Sequence, residues 1–305
     1  AHRHAIEMFG ETQVFRAGTI GTVAEKTAYG YVKKYLEARG LNPGHAEENR
    51  LALGCVGVKR TTGQHPGGLV VVPDDLDVED FCPVQHPADA ADSDIITTHF
   101  EYHCMEDNLL KLDMLGHDDP SMVRMMEDLT GVNARAIPLD DPDTMSLFTT
   151  SRALGFENDP LLGPTGAVAI PEFNTKFTRQ MLMDTQPKDF NTLVRLSGFS
   201  HGTDVWIGNA RDLIVSGTAS VTETVGCRDD IMLYLISKGL DPKMSFKIME
   251  SVRKGKVKKG GFEEGWREAM EEHDVPAWYI ESLAKIGYLF PKAHAVAYVM
   301  MAFRI

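Results

Sequence analysis

Two nearby stretches decide the fold: residues 60–73, RTTGQHPGGLVVVP, and residues 109–119, LLKLDMLGHDD. The first joins a glycine-rich turn to an apolar run that is typical of a buried strand. The second alternates apolar and polar residues, as a half-buried strand does. Together they predict a small β-sheet with one acidic side chain on it.

That acidic residue is Asp113. Side chains alternate along an extended strand, so Asp113 shares a face with Lys111, and Leu112 lies on the opposite face. A carboxylate held on a rigid sheet beside a cation suits the binding of metal ions or phosphates. The alternative is a solvated strand face with a surface ion pair, which contributes little to stability.

The glycine-rich turn carries a second hypothesis. Lys59 and Arg60 precede it, and its glycines let the backbone come close to a ligand, so exposed amides and cations would form a phosphate cradle. The lysine and serine or threonine that close a P-loop are absent. An ordinary hairpin connection remains the alternative.

Composition bounds the class of protein. A chain of 305 residues with 43% hydrophobic content can bury a sizeable core in two domains. We find no apolar run long enough to cross a bilayer and no signal peptide, which predicts a cytoplasmic protein without a membrane partner. The four cysteines form no Cys-x-x-Cys pair, so neither a zinc site nor a disulfide framework is expected. Helical patterns without caps at both ends predict a fragment.

The net charge of −13 argues against nucleic-acid binding, but its distribution does not. Residues 247–259, KIMESVRKGKVKK, form a basic run with one acid, and it includes Arg253, Lys254, Lys256, Lys258 and Lys259. The alternative is a solvated helix end, since cations favour helix C-termini.

Secondary structure follows from hydrophobic spacing and turn residues. Residues 1–40 are predicted to be helical and to end at Gly40, and a short helix follows over 46–58. An antiparallel set of strands is predicted at 68–73, 97–103 and 109–115. From His117 onward the pattern becomes helical, with helices predicted at 120–129, 142–148, 171–183, 190–196, 228–237, 242–253, 262–272, 277–286 and 293–303.

Two further segments combine polar groups and rings. Residues 195–206, RLSGFSHGTDVW, are predicted to form a binding loop that presents His201 and Thr203. A hydrolase triad there is disfavoured, because sequence neighbours rarely reach triad geometry. In residues 287–298, GYLFPKAHAVAY, Tyr288, Lys292 and His294 surround the start of a helix, where a ring would stack on a base and donors would meet phosphates. A core aromatic cluster is the alternative.

These motifs, taken in order along nearly the whole chain, resemble the bacterial replicative DNA polymerases of the PolC type. The resemblance is carried by AGTIGTVAEKTAYG, GVKRTTGQHPGG, PADA, THFEYH, NLLKLDMLGHDDP, IPEF, SGFSHGTDVW, GCRDDIM, FKIMESVRKGK and FPKAHAVAY. It implies an α+β fold: a small mixed or antiparallel palm sheet like that of polymerase β, a helical thumb inserted in it, and a large helical fingers domain. The implied boundaries are 1–14 palm, 15–57 thumb, 58–118 palm and 119–305 fingers.

The resemblance also implies chemistry. Asp113 matches the third palm carboxylate, which in this family joins an Asp-x-Asp pair to hold two Mg²⁺ ions. That pair lies upstream of the helix matched by residues 1–10, so we expect this fragment alone not to polymerise.

In the fingers, Arg228, Arg253 and Lys254 match cations that meet the incoming dNTP, and Tyr288 matches the ring against which the nascent base pair packs. Residues Lys292, His294, His201 and Thr203 lie in matching motifs near the nucleotide. Lys59, Arg60, Lys256, Lys258 and Lys259 are candidate contacts to primer-template DNA. Sliding clamp and other replisome partners would bind outside this segment. The competing hypothesis is a noncatalytic helical module that binds DNA or a replisome partner.

Overall fold

The computed structural model describes residues 2–86, 95–157 and 159–305. The chain divides into two compact units, one ending at Gly116 and the other spanning His117–Ile305. The first contains a small mixed sheet and the second is built from helices, which confirms the predicted α+β class. The PADA motif at 87–90 lies outside the described residues. Within the described parts of the chain, no helix is both long and apolar enough to cross a bilayer.

The described residues of the first unit form three α-helices and five strands. They are α1 (His2–Phe9), β1 (Val14–Thr22), α2 (Glu25–Ala38), α3 (His45–Cys55), β2 (Lys59–Val71), β3 (Val84–Gln85), β4 (Thr97–Thr98) and β5 (Leu110–Asp113). The strand order is β3-β4-β1-β2-β5. Only β4 and β1 are parallel, so the sheet is mixed.

The prediction of continuous helix over residues 1–40 is wrong at its centre. Strand β1 reads VFRAGTIGT, whose β-branched residues and phenylalanine suit a sheet, and it pairs with β2 from Val14↔Val71 to Thr22↔Lys59. The spacing of apolar residues missed it because long-range pairing, not local preference, holds this strand. The predicted stop at Gly40 is confirmed, since α2 ends at Ala38 and Gly40 has a φ of +63°.

The glycine-rich turn is also a wrong prediction, because RTTGQHPGG lies inside strand β2. The β1–β2 register shifts between Arg16↔Leu69 and Gly18↔Gln64, so Pro66 and both following glycines occupy a bulge, where proline is tolerated. A Cβ on Gly67 would lie 2.4 Å from the Met114 carbonyl oxygen. The glycine therefore permits close pairing with β5, and no phosphate-binding loop forms here.

The predicted strand over 97–103 is mostly wrong. Only Thr97 and Thr98 pair with neighbouring strands, and residues 102–104 form a single tight helical turn. The amide of His99 donates to the Pro83 carbonyl at 2.7 Å, after which the chain leaves the sheet.

The second unit consists of helices α4 to α14. They are α4 (Asp119–Thr130), α5 (Pro142–Ser146), α6 (Lys176–Thr185), α7 (Phe190–His201), α8 (Arg211–Val215), α9 (Arg228–Ser237), α10 (Pro242–Arg253), α11 (Lys256–Gly260), α12 (Trp266–Glu272), α13 (Ala277–Lys285) and α14 (Lys292–Arg304). Their core is a continuous cluster of fully buried side chains that includes Leu193, Ile231, Ile248, Leu283 and Val299.

Capping explains which helix predictions held. The bounds of α9 and α10 are as predicted, and the Asp241 side chain caps α10 by accepting from the Met244 amide at 2.8 Å. Helix α6 begins five residues later than predicted because Thr175 caps it. Helix α12 also starts late, after Gly265 in a left-handed conformation. The five-residue helices α8 and α11 were missed, being too short to show a period.

The predicted binding loop at 195–206 is wrong over its first half, because α7 continues through His201. Gly198 does not loosen the backbone. A Cβ there would lie 2.3 Å from the Gly226 carbonyl oxygen, so glycine lets α7 pack closely against the segment before α9. Of the polar residues in this segment, Thr203 and Asp204 lie after the end of α7.

Candidate functional site

Asp113 ends strand β5, and its position on the sheet agrees with the sequence pattern. Its carboxylate lies 3.5 Å from Lys111 Nζ and 3.9 Å from His65 Nδ1, and its side chain is 48% exposed. Leu112 and Met114 pack into the opposite face. Asp113 is thus an accessible oxygen donor on a rigid strand, which suits Mg²⁺ chemistry. Among the described residues, however, it belongs to no cluster of three potential metal ligands.

Lys59 and Arg60 open strand β2, beside a cavity of about 380 Å³. Thr61, His99 and Phe100 also line this cavity. The Arg60 guanidinium lies 5.8 Å from the centre of the Tyr31 ring. Although the predicted loop is absent, the two cations border an open cavity, and their contact with a phosphate backbone stays a prediction.

In the helical unit, the segment from Tyr288 to Phe290 links three parts of the chain through its backbone. The Thr203 amide donates to the Tyr288 carbonyl at 2.9 Å, and the Leu289 amide donates to the Arg253 carbonyl at 3.2 Å. The Arg228 amide donates to the Phe290 carbonyl at 3.0 Å. Residues predicted from four separate motifs are therefore brought together. We call Tyr288, Leu289 and Phe290 the central segment.

Arg228 and Lys292 are the first residues of α9 and α14, so two positive helix ends meet here. Asp229 Oδ2 accepts from the Lys292 amide at 2.7 Å and lies 4.0 Å from Arg228 Nε. Lys292 Nζ lies 3.6 Å from Asp230 Oδ1. The two aspartates hold the helix ends in register and leave the cations partly exposed.

Arg253 and Lys254 follow at the end of α10. The Arg253 guanidinium binds both carboxylate oxygens of Glu250, with its Nη2 at 2.9 Å, and Lys254 Nζ lies 3.2 Å from the same carboxylate. These hydrogen bonds, above all that from Arg253, hold the pKa of Glu250 below its usual range. Tyr288 is 39% exposed, with its ring at right angles to Phe290. The site thus combines an accessible ring with oriented cations.

The basic run continues in α11. Lys258 Nζ binds Asp204 Oδ2 at 2.6 Å, while Lys256 lines a cavity of about 270 Å³ together with Lys254. Lys259 is exposed. Because the Asp204 carboxylate binds Lys258 and the acid that His201 contacts is Glu172, the hydrolase triad that was disfavoured from the sequence is not assembled.

His201 and His294 lie behind this surface. His201 Nε2 lies 2.7 Å from Glu172 Oε2, and the ring of His294 stacks obliquely on Phe290 and Tyr298 at 4.9 and 4.2 Å. The hydrogen bond to Glu172 raises the pKa of His201, whereas burial lowers that of His294. Their direct contact with a nucleotide stays a prediction.

Sequence reasoning missed the acidic partners that orient these groups. Asp229, Asp230 and Glu250 were read only as parts of motifs, and Glu172 only as part of IPEF. The available signal was Asp229 next to Arg228, and Glu250 one helical turn before Arg253 and Lys254.

The chain belongs to the bacterial DNA polymerase III alpha subunits. The model of the finger domain of that subunit matches residues 119–274, about half of the chain, and the model of its NTPase domain matches residues 32–116.

Curated relatives point to one type within this family. The chain is 62% identical over all its 305 residues to the DNA polymerase III PolC-type of Caldanaerobacter subterraneus subsp. tengcongensis, and 57% identical to those of Bacillus cereus and Staphylococcus aureus. It covers 22%, 21% and 21% of those proteins, so it spans about a fifth of their length. The predicted family resemblance is confirmed.

Proposed function

We propose that this chain supplies palm, thumb and fingers parts of a DNA-directed DNA polymerase that transfers a nucleotidyl group from a dNTP to a primer 3′-hydroxyl. The main support is the central segment, which joins an exposed ring to Arg228 of α9 and Arg253 of α10 through backbone hydrogen bonds and precedes Lys292 of α14 by two residues. We assign residues 1–14 and 58–118 to the palm, 15–57 to the thumb and 119–305 to the fingers. Of the thumb range, residues up to Thr22 belong to strand β1, so helices α2 and α3 form its body.

Each part of the site has a chemical task. Arg228 and Lys292, at two helix N-termini, neutralise and orient the triphosphate, and Arg253 and Lys254 hold it from the end of α10. Tyr288 packs on the nascent base pair, where stacking is tolerant of sequence. Positioning and charge neutralisation account for most of the rate enhancement in phosphoryl-type transfer.

Asp113 would supply one carboxylate of a two-Mg²⁺ site. When bound, the ions supply charge neutralisation at the attacking and leaving oxygens. The exposed carboxylate and its position on a rigid strand support this role. Primer-template DNA would contact Lys59, Arg60, Lys256, Lys258 and Lys259, and clamp or other replisome partners would bind elsewhere in the longer polymerase.

A chimaera tests the fingers assignment. The 305 residues would replace the aligned segment of the Caldanaerobacter polymerase, and crosslinking of a photoreactive dNTP would be measured with Mg²⁺ and primer-template. We expect Arg253→Ala to weaken crosslinking about 10- to 150-fold, because a contact to a charged group contributes about 1.5–3 kcal/mol. Tyr288→Ala should weaken it by a similar factor through lost stacking.

Arg267→Ala is the matched control, since Arg267 is an exposed cation on α12 whose ion-pair partner within the described residues is Glu271. Its substitution should leave crosslinking unchanged. If Arg253→Ala and Tyr288→Ala behave like this control, the fingers assignment is wrong, and the noncatalytic DNA- or partner-binding module becomes the better hypothesis. Asp113→Asn should abolish primer extension by the chimaera without changing its stability, because the side chain is half exposed.

A further inference from the structure

A second cluster of ligand-type side chains lies in the helical unit, and the proposed polymerase function does not use it. His117, Asp119 and Glu172 each offer one ligand atom, and these three atoms lie within 4.8 Å of one another. Asp119 begins α4, and Glu172 lies in the turn before α6. The cluster thus joins two segments that are far apart in sequence.

The carboxylate of Asp119 is the group in this cluster whose burial is least compensated. Its side chain is only 6% exposed, and in the part of the chain that the structure describes its Oδ2 has no hydrogen-bond partner. Burial raises the pKa of Asp119. An uncompensated buried carboxylate is expensive, so such groups are normally paired or bound to a metal ion.

The neighbouring histidine does not provide that partner. His117 Nδ1 lies 3.5 Å from Asp119 Oδ1, but this nitrogen also accepts the Asp119 backbone amide at 3.2 Å. A ring nitrogen that accepts a hydrogen bond carries no proton to donate. His117 therefore cannot donate to Asp119 through Nδ1, and a metal ion bound at this nitrogen would replace its contact with the Asp119 amide.

Glu172 is oriented from behind by His201. His201 Nε2 donates to Glu172 Oε2 at 2.7 Å, and its Nδ1 donates to the Ser197 carbonyl at 2.7 Å, so the ring donates at both nitrogens and is cationic. The raised pKa of His201 and the lowered pKa of Glu172 agree with this arrangement. Glu172 Oε1 faces the cluster and lies 3.7 Å from His117 Nε2.

The cluster holds two carboxylates, those of Asp119 and Glu172, and the Asp119 side chain is almost completely buried. Among the described residues, no hydrogen-bond donor reaches Asp119 Oδ2. A cation bound between the two carboxylates would compensate their charge.

We propose that His117, Asp119 and Glu172 bind one divalent first-row transition-metal ion, Zn²⁺ or Mn²⁺, with His201 acting as the positioning residue for Glu172. One nitrogen and two oxygen ligands suit these ions better than Mg²⁺ or Ca²⁺. Ligands about 2.1 Å from such an ion lie about 3–4 Å from each other, so the side chains need to close by about 1 Å. The ion would fix the start of α4 to the turn before α6.

The test uses the complete 305-residue chain after removal of metal with a chelator. Titration with Co²⁺, a spectroscopic substitute for Zn²⁺, should give visible absorption that saturates at one equivalent, and Zn²⁺ should displace it and raise the Tm by several degrees. Asp119→Asn and His117→Gln should each weaken Co²⁺ binding at least tenfold. His201→Gln should weaken it about 10- to 100-fold, because the hydrogen bond that orients Glu172 is lost. His273→Gln, in the same unit but outside the cluster, should bind like wild type.

Far-UV circular dichroism would verify that each variant is folded, and two independent ligand variants guard against loss of one to misfolding. Absence of Co²⁺ absorption in the wild type would overturn the proposal. So would binding that survives both Asp119→Asn and His117→Gln. Stabilisation by Asp119→Asn with no metal effect would show that Asp119 is a buried neutral acid instead.

Discussion

Gly255→Ala is the sharpest test of how the central segment is held. Gly255 follows α10 in a left-handed conformation, with a φ of +66° and a ψ of 18°. A Cβ at this position would lie 2.4 Å from the carbonyl oxygen of Gly287, the residue just before Tyr288. The left-handed conformation costs alanine about 1 kcal/mol, and relieving the backbone clash costs about 1–3 kcal/mol more. We therefore expect a destabilisation of about 2–4 kcal/mol.

Gly217→Ala is the matched control for that substitution. Gly217 also has a positive φ, of +73°, but a Cβ there would meet nothing within 4 Å. It should show only the conformational cost of about 1 kcal/mol. The difference between the two variants isolates the contact of Gly255 with the central segment.

Tryptophan fluorescence during urea unfolding provides the assay. Trp206, Trp266 and Trp278 all lie in the helical unit, so the signal reports that unit alone. With a denaturant slope of about 2–3 kcal/mol/M, the Gly255 variant should unfold about 0.5–1 M below the Gly217 variant. In the chimaera it should also weaken dNTP crosslinking, because Tyr288 is displaced. Equal midpoints for the two variants would refute the reasoning.

Two further predictions concern the sheet and the buried ion pair. Gly18→Ala should destabilise the chain by several kcal/mol and remove amide-exchange protection along β1, because the new Cβ would lie 1.8 Å from the Thr98 carbonyl oxygen. Gly30 lies on α2 with open space around it, so Gly30→Ala should stabilise the chain by about 0.5–1 kcal/mol. Either variant acting in the opposite direction would contradict the described packing. The pKa of His201 is raised on folding, so His201 contributes fully to stability below its unfolded pKa of about 6.5, and this contribution is lost as pH rises through the folded pKa. The pKa of Glu172 is lowered on folding, so Glu172 contributes fully to stability above its unfolded pKa of about 4.3, and this contribution is lost as pH falls through the folded pKa. This ion pair should therefore raise the Tm most between about pH 4.3 and 6.5, and His201→Gln should flatten the dependence of Tm on pH. An unchanged pH dependence would show that the His201–Glu172 pair contributes nothing to stability.

Local patterns succeeded where local physics decides the structure. Helices α9 and α10 have an acidic cap or first turn and a glycine soon after the end, and their bounds were predicted. Strand β5 alternates strictly, which placed Asp113 beside Lys111. Patterns failed where pairing partners lie far away in sequence, as for β1, which was taken for helix. They failed again at RTTGQHPGG, where the glycines serve close strand packing and not a turn.

The candidate site shows the same division. Arg228, Arg253, Tyr288 and Lys292 could be chosen from the sequence because their motifs resemble a known family, and the family models and relatives confirmed that membership. Helical spacing could have paired Glu250 with Arg253 and Lys254. The contacts of Asp229 and Asp230 with Lys292 could not be predicted, because Lys292 lies more than 60 residues away in the chain.

Residue order and spacing within single elements were enough to predict the family, the α+β class, the strand that carries Asp113 and the candidate nucleotide-binding cations. The folded chain was needed to show that Thr203, Arg228 and Arg253 converge on the central segment and that, among the described residues, Asp119 Oδ2 is buried without a hydrogen-bond partner. Both outcomes depend on backbone contacts and desolvation between residues that are far apart in the chain, and no local pattern encodes them.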